Sequence, residues 1–188
     1  MKFIWRRLIL LLALGIIAIG LITPIHELGH ALFATALGGE VTRLYLGPFG
    51  GYCGWDGLWG VSEKIAVAGG IILSLLVGLI LLLAYRHKMF FQLRFFSFCL
   101  FSALLLGGIF YMVGDSLNYL ISGVPRFNAG DVILLIQLGI PAPIFLMVGL
   151  LLAWLVLFPM RYIEHLTFLY RDTIDYVTKD IKIKIKKR

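Results

Sequence analysis

The residues of this chain whose types and spacing could do chemistry together are His26-Glu27-Leu28-Gly29-His30. On a helix, positions four apart share a face, so both imidazoles can reach one metal ion while Glu27 stands beside them. Imidazole nitrogen suits zinc, and a catalytic zinc needs a third protein ligand and an open fourth position for water. Zinc lowers the pKa of its water to about 7, and a neighbouring carboxylate can take that water's proton as it attacks a peptide carbonyl. The motif therefore predicts zinc-dependent peptide hydrolysis with one ion, His26 and His30 as metal ligands and Glu27 as general base.

The elements that must position these residues are membrane elements. Of 188 residues 61% are hydrophobic and 14% charged, against the roughly half-apolar, quarter-charged usage of soluble domains. The expected fold is an all-α transmembrane helix bundle of about four spans, with a small β-hairpin or extended loop after the first span. The spans are expected at about 8–37, 65–85, 95–121 and 132–160, with the hairpin at 38–60, all in one membrane-embedded domain over 1–160. A basic cytoplasmic tail, 161–188, follows. Pro24 predicts either a kink in the first span or a helix restarted with Thr23 as N-cap. Pro141 and Pro143 interrupt the fourth span, whose first third reads as a separate interfacial or re-entrant helix.

A net charge of +7 would hint at nucleic acid in a soluble protein, but here the basic residues sit at span ends and in the tail. No nucleic-acid partner is expected; the polybasic run from Lys182 to Arg188 suits anionic lipid headgroups. All of the 17 Lys and Arg except Arg43, Lys64 and Arg126 fall on one side of a four-span arrangement. The excess of positive charge marks the cytoplasmic side, so both termini are expected there, in a multi-pass protein of the plasma membrane. Lys2, Arg6 and Arg7 before an apolar run imitate a signal peptide, but no small-x-small site precedes His26, which predicts an uncleaved signal-anchor helix. Cys53 and Cys99 form neither a disulfide framework nor a CxxC metal site.

His-Glu-Leu-Gly-His-Ala in a first core helix, followed by a Gly-rich hairpin, resembles the site-2 protease family of intramembrane zinc metalloproteases, over about residues 8–120. The resemblance implies three core helices, with the histidines on the first and an aspartate ligand on the third. Ala68-Gly69-Gly70 resembles the family's small-residue motif in the middle helix, without the usual proline and asparagine after it. The Asn-x-x-Pro ahead of Leu-Asp-Gly is absent too. Asp115, at the far end of the third span, is the expected third ligand, both from the resemblance and because an up-down-up topology returns it to the depth of His30. Asp131 is the rival, and Glu63 a further candidate.

Asn118, one turn beyond Asp115, could position substrate or steady an oxyanion, or could be an ordinary helix-end residue. Gly51 and Tyr52 lie where a hairpin could offer a strand edge to an unfolded segment of a membrane-anchored protein substrate; a connection lying on the membrane surface is the equal alternative. Tyr52, Trp55 and Trp59 suit an interfacial belt. His87, beside Arg86 and Lys88, reads as a cytoplasmic flank, and so does His165 beside Glu164. Two functions compete with proteolysis: a non-catalytic scaffold or binding protein of the same architecture, and, on the broken fourth span, a transporter. Little but Gln137 would make a polar pathway for the latter. With no gating domain evident in the chain, a regulatory membrane partner is a further expectation.

Overall fold

The computed structural model describes residues 2–85, 89–123 and 130–186, with side chains from residue 4 to 178. The chain folds as a helical bundle with a small two-stranded antiparallel sheet. Helix α1 (Lys2–Gly20) and helix α2 (Ile22–Ala36) are separated by Leu21 alone. The break has a local cause: Pro24 has no N–H to give the carbonyl four residues earlier, and its ring crowds that carbonyl, which belongs to Gly20. Thr23 is not the cap; Leu21 holds that position in helical geometry, without a side-chain cap. The two helices thus form one kinked rod. At its far end Gly38 takes φ +85, and the Gly39 N–H donates back to the Ala34 carbonyl at 2.9 Å, the left-handed termination that glycine makes easy.

Strand β1 (Glu40–Leu46) and strand β2 (Gly51–Asp56) pair from Glu40↔Asp56 to Leu46↔Gly51, with a bulge at Thr42. The hairpin does not spread away from the bundle. Its turn folds back onto the α1–α2 break, where Pro48 Cβ stands 3.3 Å from the place a Cβ on Gly20 would occupy. Sixteen helical residues separate Gly20 from Ala36, about 24 Å at the α-helical rise, so the hairpin runs back along most of α2.

Helix α3 (Val61–Ala84) returns antiparallel to α2. The two touch through glycine: a Cβ on Gly29 would overlap the Gly69 carbonyl, and one on Gly69 would lie 2.7 Å from the Gly29 carbonyl oxygen. Small residues allow such backbone approach, the usual means of tight packing between apolar helices. Helix α4 (Phe91–Ser122) then runs parallel to α1–α2. The expected fourth span divides at Gly139 (φ +93) and Pro141 into α5 (Asp131–Gln137) and α6 (Ala142–Leu157). Val132 and Ile133 of α5 pack with Val67 and Ile71 of α3, Met112 of α4 and Phe145 of α6 in one core.

Three helical segments, Ile4–Ala36, Val61–Ala84 and Phe91–Ser122, are long and apolar enough to cross a membrane. A fourth crossing requires α6 to be continued by α7 (Tyr162–Lys186), which leaves it at 50°. Sixteen residues of α6 reach only about 24 Å, short of a hydrocarbon layer of about 30 Å, which is why the continuation matters. Within the stretch expected as a polar tail, Tyr162–Lys186 is thus a helix bound to the bundle. Arg7 donates to the Tyr176 carbonyl at 2.7 Å, Arg94 pairs with Asp172, and Phe91 stacks on Tyr176 at 4.6 Å. Arg86, His87, Lys88, Pro125, Arg126, Lys187 and Arg188 lie outside the described residues.

Candidate metal centre

His26 and His30 stand one turn apart on the face of α2 that meets α3. Room for the two rings comes from Gly70: a Cβ there would come within 2.5 Å of His30 Nε2 and 2.7 Å of His26 Cε1. The two Nε2 atoms are 3.2 Å apart. Asp131 Oδ2, at the first residue of α5, lies 2.8 Å from His26 Nε2 and 3.2 Å from His30 Nε2. Ligand atoms about 2.0–2.1 Å from a tetrahedral zinc stand about 3.3 Å from one another; two of the three separations here, at 3.2 Å, are close to that and the third, at 2.8 Å, is shorter.

Protonation carries the argument further. His30 Nδ1 lies 2.9 Å from the Ala66 carbonyl oxygen and donates its proton there, which leaves Nε2 of the neutral ring as a lone pair. A histidine whose other nitrogen is held by a backbone carbonyl is the usual metal-ligating arrangement. Asp131 Oδ2 is buried, with the two Nε2 atoms as its close polar neighbours. Three candidate ligand atoms thus converge. His26, His30 and Asp131 are the group of described residues that could hold a metal ion.

Asp115, the expected third ligand, is not in this group. Its Oδ2 lies 3.5 Å from the place of a Cβ on Gly130, against the residue that precedes Asp131. The physical reason is the return path: α4 continues about two turns beyond Asp115 before the chain comes back, and the short α5, wedged between α3 and α4, delivers its first residue to the histidines. The rival assignment is thus the one the geometry brings together. Glu63 lies in the first turn of α3 and is likewise outside the group. Asn118 gives its carbonyl to Ser122 Oγ (2.7 Å), with no described contact to the cluster. His165 packs its ring on Tyr85 at 5.0 Å, apart from the metal group.

Glu27 is buried and is covered by the hairpin. A Cβ on Gly51 would overlap Glu27 Cγ and lie 2.9 Å from Cδ and 2.7 Å from Thr23 Cγ2. Side chains alternate along a strand, so Gly51, Cys53 and Trp55 face inward together. Cys53 is half-buried beside Glu27; burial, and then the Glu27 charge, push its thiol pKa up. The Trp55 ring stacks on His30, centroids 5.9 Å apart and planes 29° apart. Tyr52 is on the other face, exposed, with its hydroxyl over Gly54. Trp55 was expected in an interfacial belt with Trp59 and Tyr52. Trp59 is exposed, but Trp55 packs on His30 of the candidate centre. The period-two pattern from Gly51 to Trp55 was the signal that could have found it.

Compared with known proteins, the chain matches no family model, no curated protein and no solved structure.

Proposed function

We propose that this chain is a zinc-dependent intramembrane endopeptidase that cuts a membrane-anchored protein substrate, the activity its resemblance to site-2 proteases implies. The single observation that carries the reading is the convergence of Asp131 Oδ2 on the two Nε2 atoms with Glu27 beside them. Two imidazoles and one carboxylate are a donor set typical of catalytic zinc, with a coordination position left for water. Gly70, level with the histidines, lies nine residues into α3, about 14 Å from its start. In a span crossing a hydrocarbon layer of about 30 Å, that is membrane depth. Ionisable groups there are expensive and mark function by default.

Zinc held by His26, His30 and Asp131 would supply Lewis acidity and bring the pKa of water to about 7. The protein's own parts do the rest. Ala66 fixes the His30 tautomer, and Gly70 leaves the rings their place. Glu27 takes the proton from the attacking water and returns it to the leaving amine. The hairpin has two strands in the described residues, and each has an outer edge of backbone N–H and C=O groups. Within a membrane such groups need partners. An extended substrate segment adding to an edge would supply them and would hold the peptide bond open near the site.

A scaffold that keeps the metal is the second reading, favoured by the seat of Gly51 against Glu27, which leaves the carboxylate covered. Metal analysis of the purified protein, beside cleavage of an unstructured protein substrate in detergent, tests both. The protease reading expects about one zinc per chain and cleavage that stops in Glu27→Gln. Zinc with no cleavage of any membrane-anchored or unstructured substrate would favour the scaffold.

A further inference from the structure

The hairpin touches the metal centre at two separate places, and the two contacts have different chemistry. At one end of β2 the backbone of Gly51 lies on the Glu27 side chain with no room for a methyl group. Four residues on, the Trp55 indole lies stacked on the ring of His30. The other side of the hairpin base is fixed: Val41 and Trp55 pack on a buried group of Ala34, Leu58 and Ala66. Ala66 is also the residue whose carbonyl holds His30 Nδ1. One ligand ring is therefore held at its edge by α3 and on its face by β2. The turn, by contrast, carries Phe49 at 77% exposure and meets the bundle at Gly20 through Pro48.

We infer that Trp55 is a positioning residue of the metal centre, and that the hairpin carrying it is a cover seated on Glu27, which a substrate must lift at the Gly51 end before its peptide bond can reach the ion. The inference rests on the metal-centre reading and extends it to access. Covering follows from space: the attacking water must lie between Glu27 and the metal position, and Gly51 occupies the outer side of Glu27. Positioning follows from the stack. A tilt of the indole frees the His30 ring to rotate about the axis its Nδ1 bond defines, which moves Nε2 relative to Asp131. Lifting the hairpin from the turn, with its base held by Val41 and Leu58, would open Glu27 first.

The test uses the full chain in detergent with Trp55 as its only tryptophan (Trp5→Phe, Trp59→Phe, Trp154→Phe), titrated with Co²⁺. The visible bands of tetrahedral Co²⁺ report occupancy, and Trp55 emission reports the distance between the indole and the ion. The expected result is loss of emission with the same midpoint as the rise of the bands, and loss of both responses in His30→Ala. Gly51→Ala, in a protein with Cys99 replaced, should keep the bands and the quenched Trp55, whose end of the hairpin is held by Val41 and Leu58, while Cys53 near the lifted end becomes accessible to maleimide. A second pair addresses positioning: Trp55→Phe should hold Co²⁺ about as tightly as the parent, and Trp55→Ala on the order of tenfold more weakly. No bands in the parent would overturn the metal centre, and the inference with it. Bands with unquenched Trp55 would overturn the stack on the ligand ring, and a Gly51→Ala protein whose Cys53 is as shielded as in the parent would overturn the cover alone. Equal Co²⁺ affinity in Trp55→Ala and Trp55→Phe would overturn the positioning role.

Discussion

Glu27 and Asp131 are both carboxylates beside the two histidines, and their places in the fold separate their roles. Asp131 points its Oδ2 at both Nε2 atoms, whereas Glu27 lies along the same helix as the ligands with its stem under Gly51. Replacing Asp131 with Asn should therefore remove the metal, while Asp115→Asn should keep it; metal content of the two purified variants decides the assignment. Glu27→Gln should keep zinc and lower cleavage by about 100- to 10,000-fold, the contribution of a general base. Cys53 offers an independent check on where Glu27 sits. Its thiol is held protonated by burial and, secondarily, by the Glu27 charge, so Glu27→Gln should lower the thiol pKa and speed maleimide labelling of Cys53 at neutral pH. An unchanged rate in Glu27→Gln would argue that the two groups are not neighbours. At this scale the sequence was informative for His26, Glu27 and His30, because a four-residue spacing needs only one helix to become a site. It was ambiguous for the third ligand, because the carboxylate arrives across a connection whose path no local pattern specifies. Trp55 was legible in principle through strand alternation, yet aromatic residues near a span end have a commoner explanation.

Among the elements, the kinked first span, the hairpin and the next two spans stand close to their expected positions, since long apolar runs and a glycine-rich, alternating segment are strong local signals. The division of α5 from α6 also had its signal in Pro141 and Pro143. What could not be read was the placement of these pieces: that α5 tucks beneath the histidines, that the hairpin turns back along α2, and that α7 binds the ends of α1 and α4. Each depends on contacts between segments far apart in the chain. The contact that most directly serves the site is between α2 and α3 at Gly29, Gly69 and Gly70. A methyl group at Gly70 would meet both imidazoles, so Gly70→Ala should displace the rings. The expected outcome is unchanged helix content by circular dichroism, a stability loss of about 1–3 kcal/mol typical of overpacking, and weaker zinc binding. Zinc bound as tightly as in the parent would mean that the rings have slack the packing does not suggest.

At the scale of the whole molecule, the candidate metal site and the hairpin lie toward one end of the bundle, while Arg6, Arg7, Arg94 and α7 gather at the other. Positive residues are retained on the cytoplasmic side, so the prediction from this asymmetry is an orientation with the candidate metal site away from the cytoplasm. Trp59 and Tyr170 are suited to report it, being 81% and 68% exposed at opposite ends. In a protein with Cys53 and Cys99 replaced, a cysteine at position 59 should react with an impermeant maleimide added outside intact cells. A cysteine at position 170 should react only after the membrane is opened. The reverse pattern would turn the bundle over and bring the metal centre toward the inner face, and the substrate's cleavable segment would then lie on that side. Because the contacts among Asp131, the histidines and Glu27 are internal to the fold, that outcome would change which side of the membrane the proposed protease draws its substrates from and leave the geometry of the site as it is.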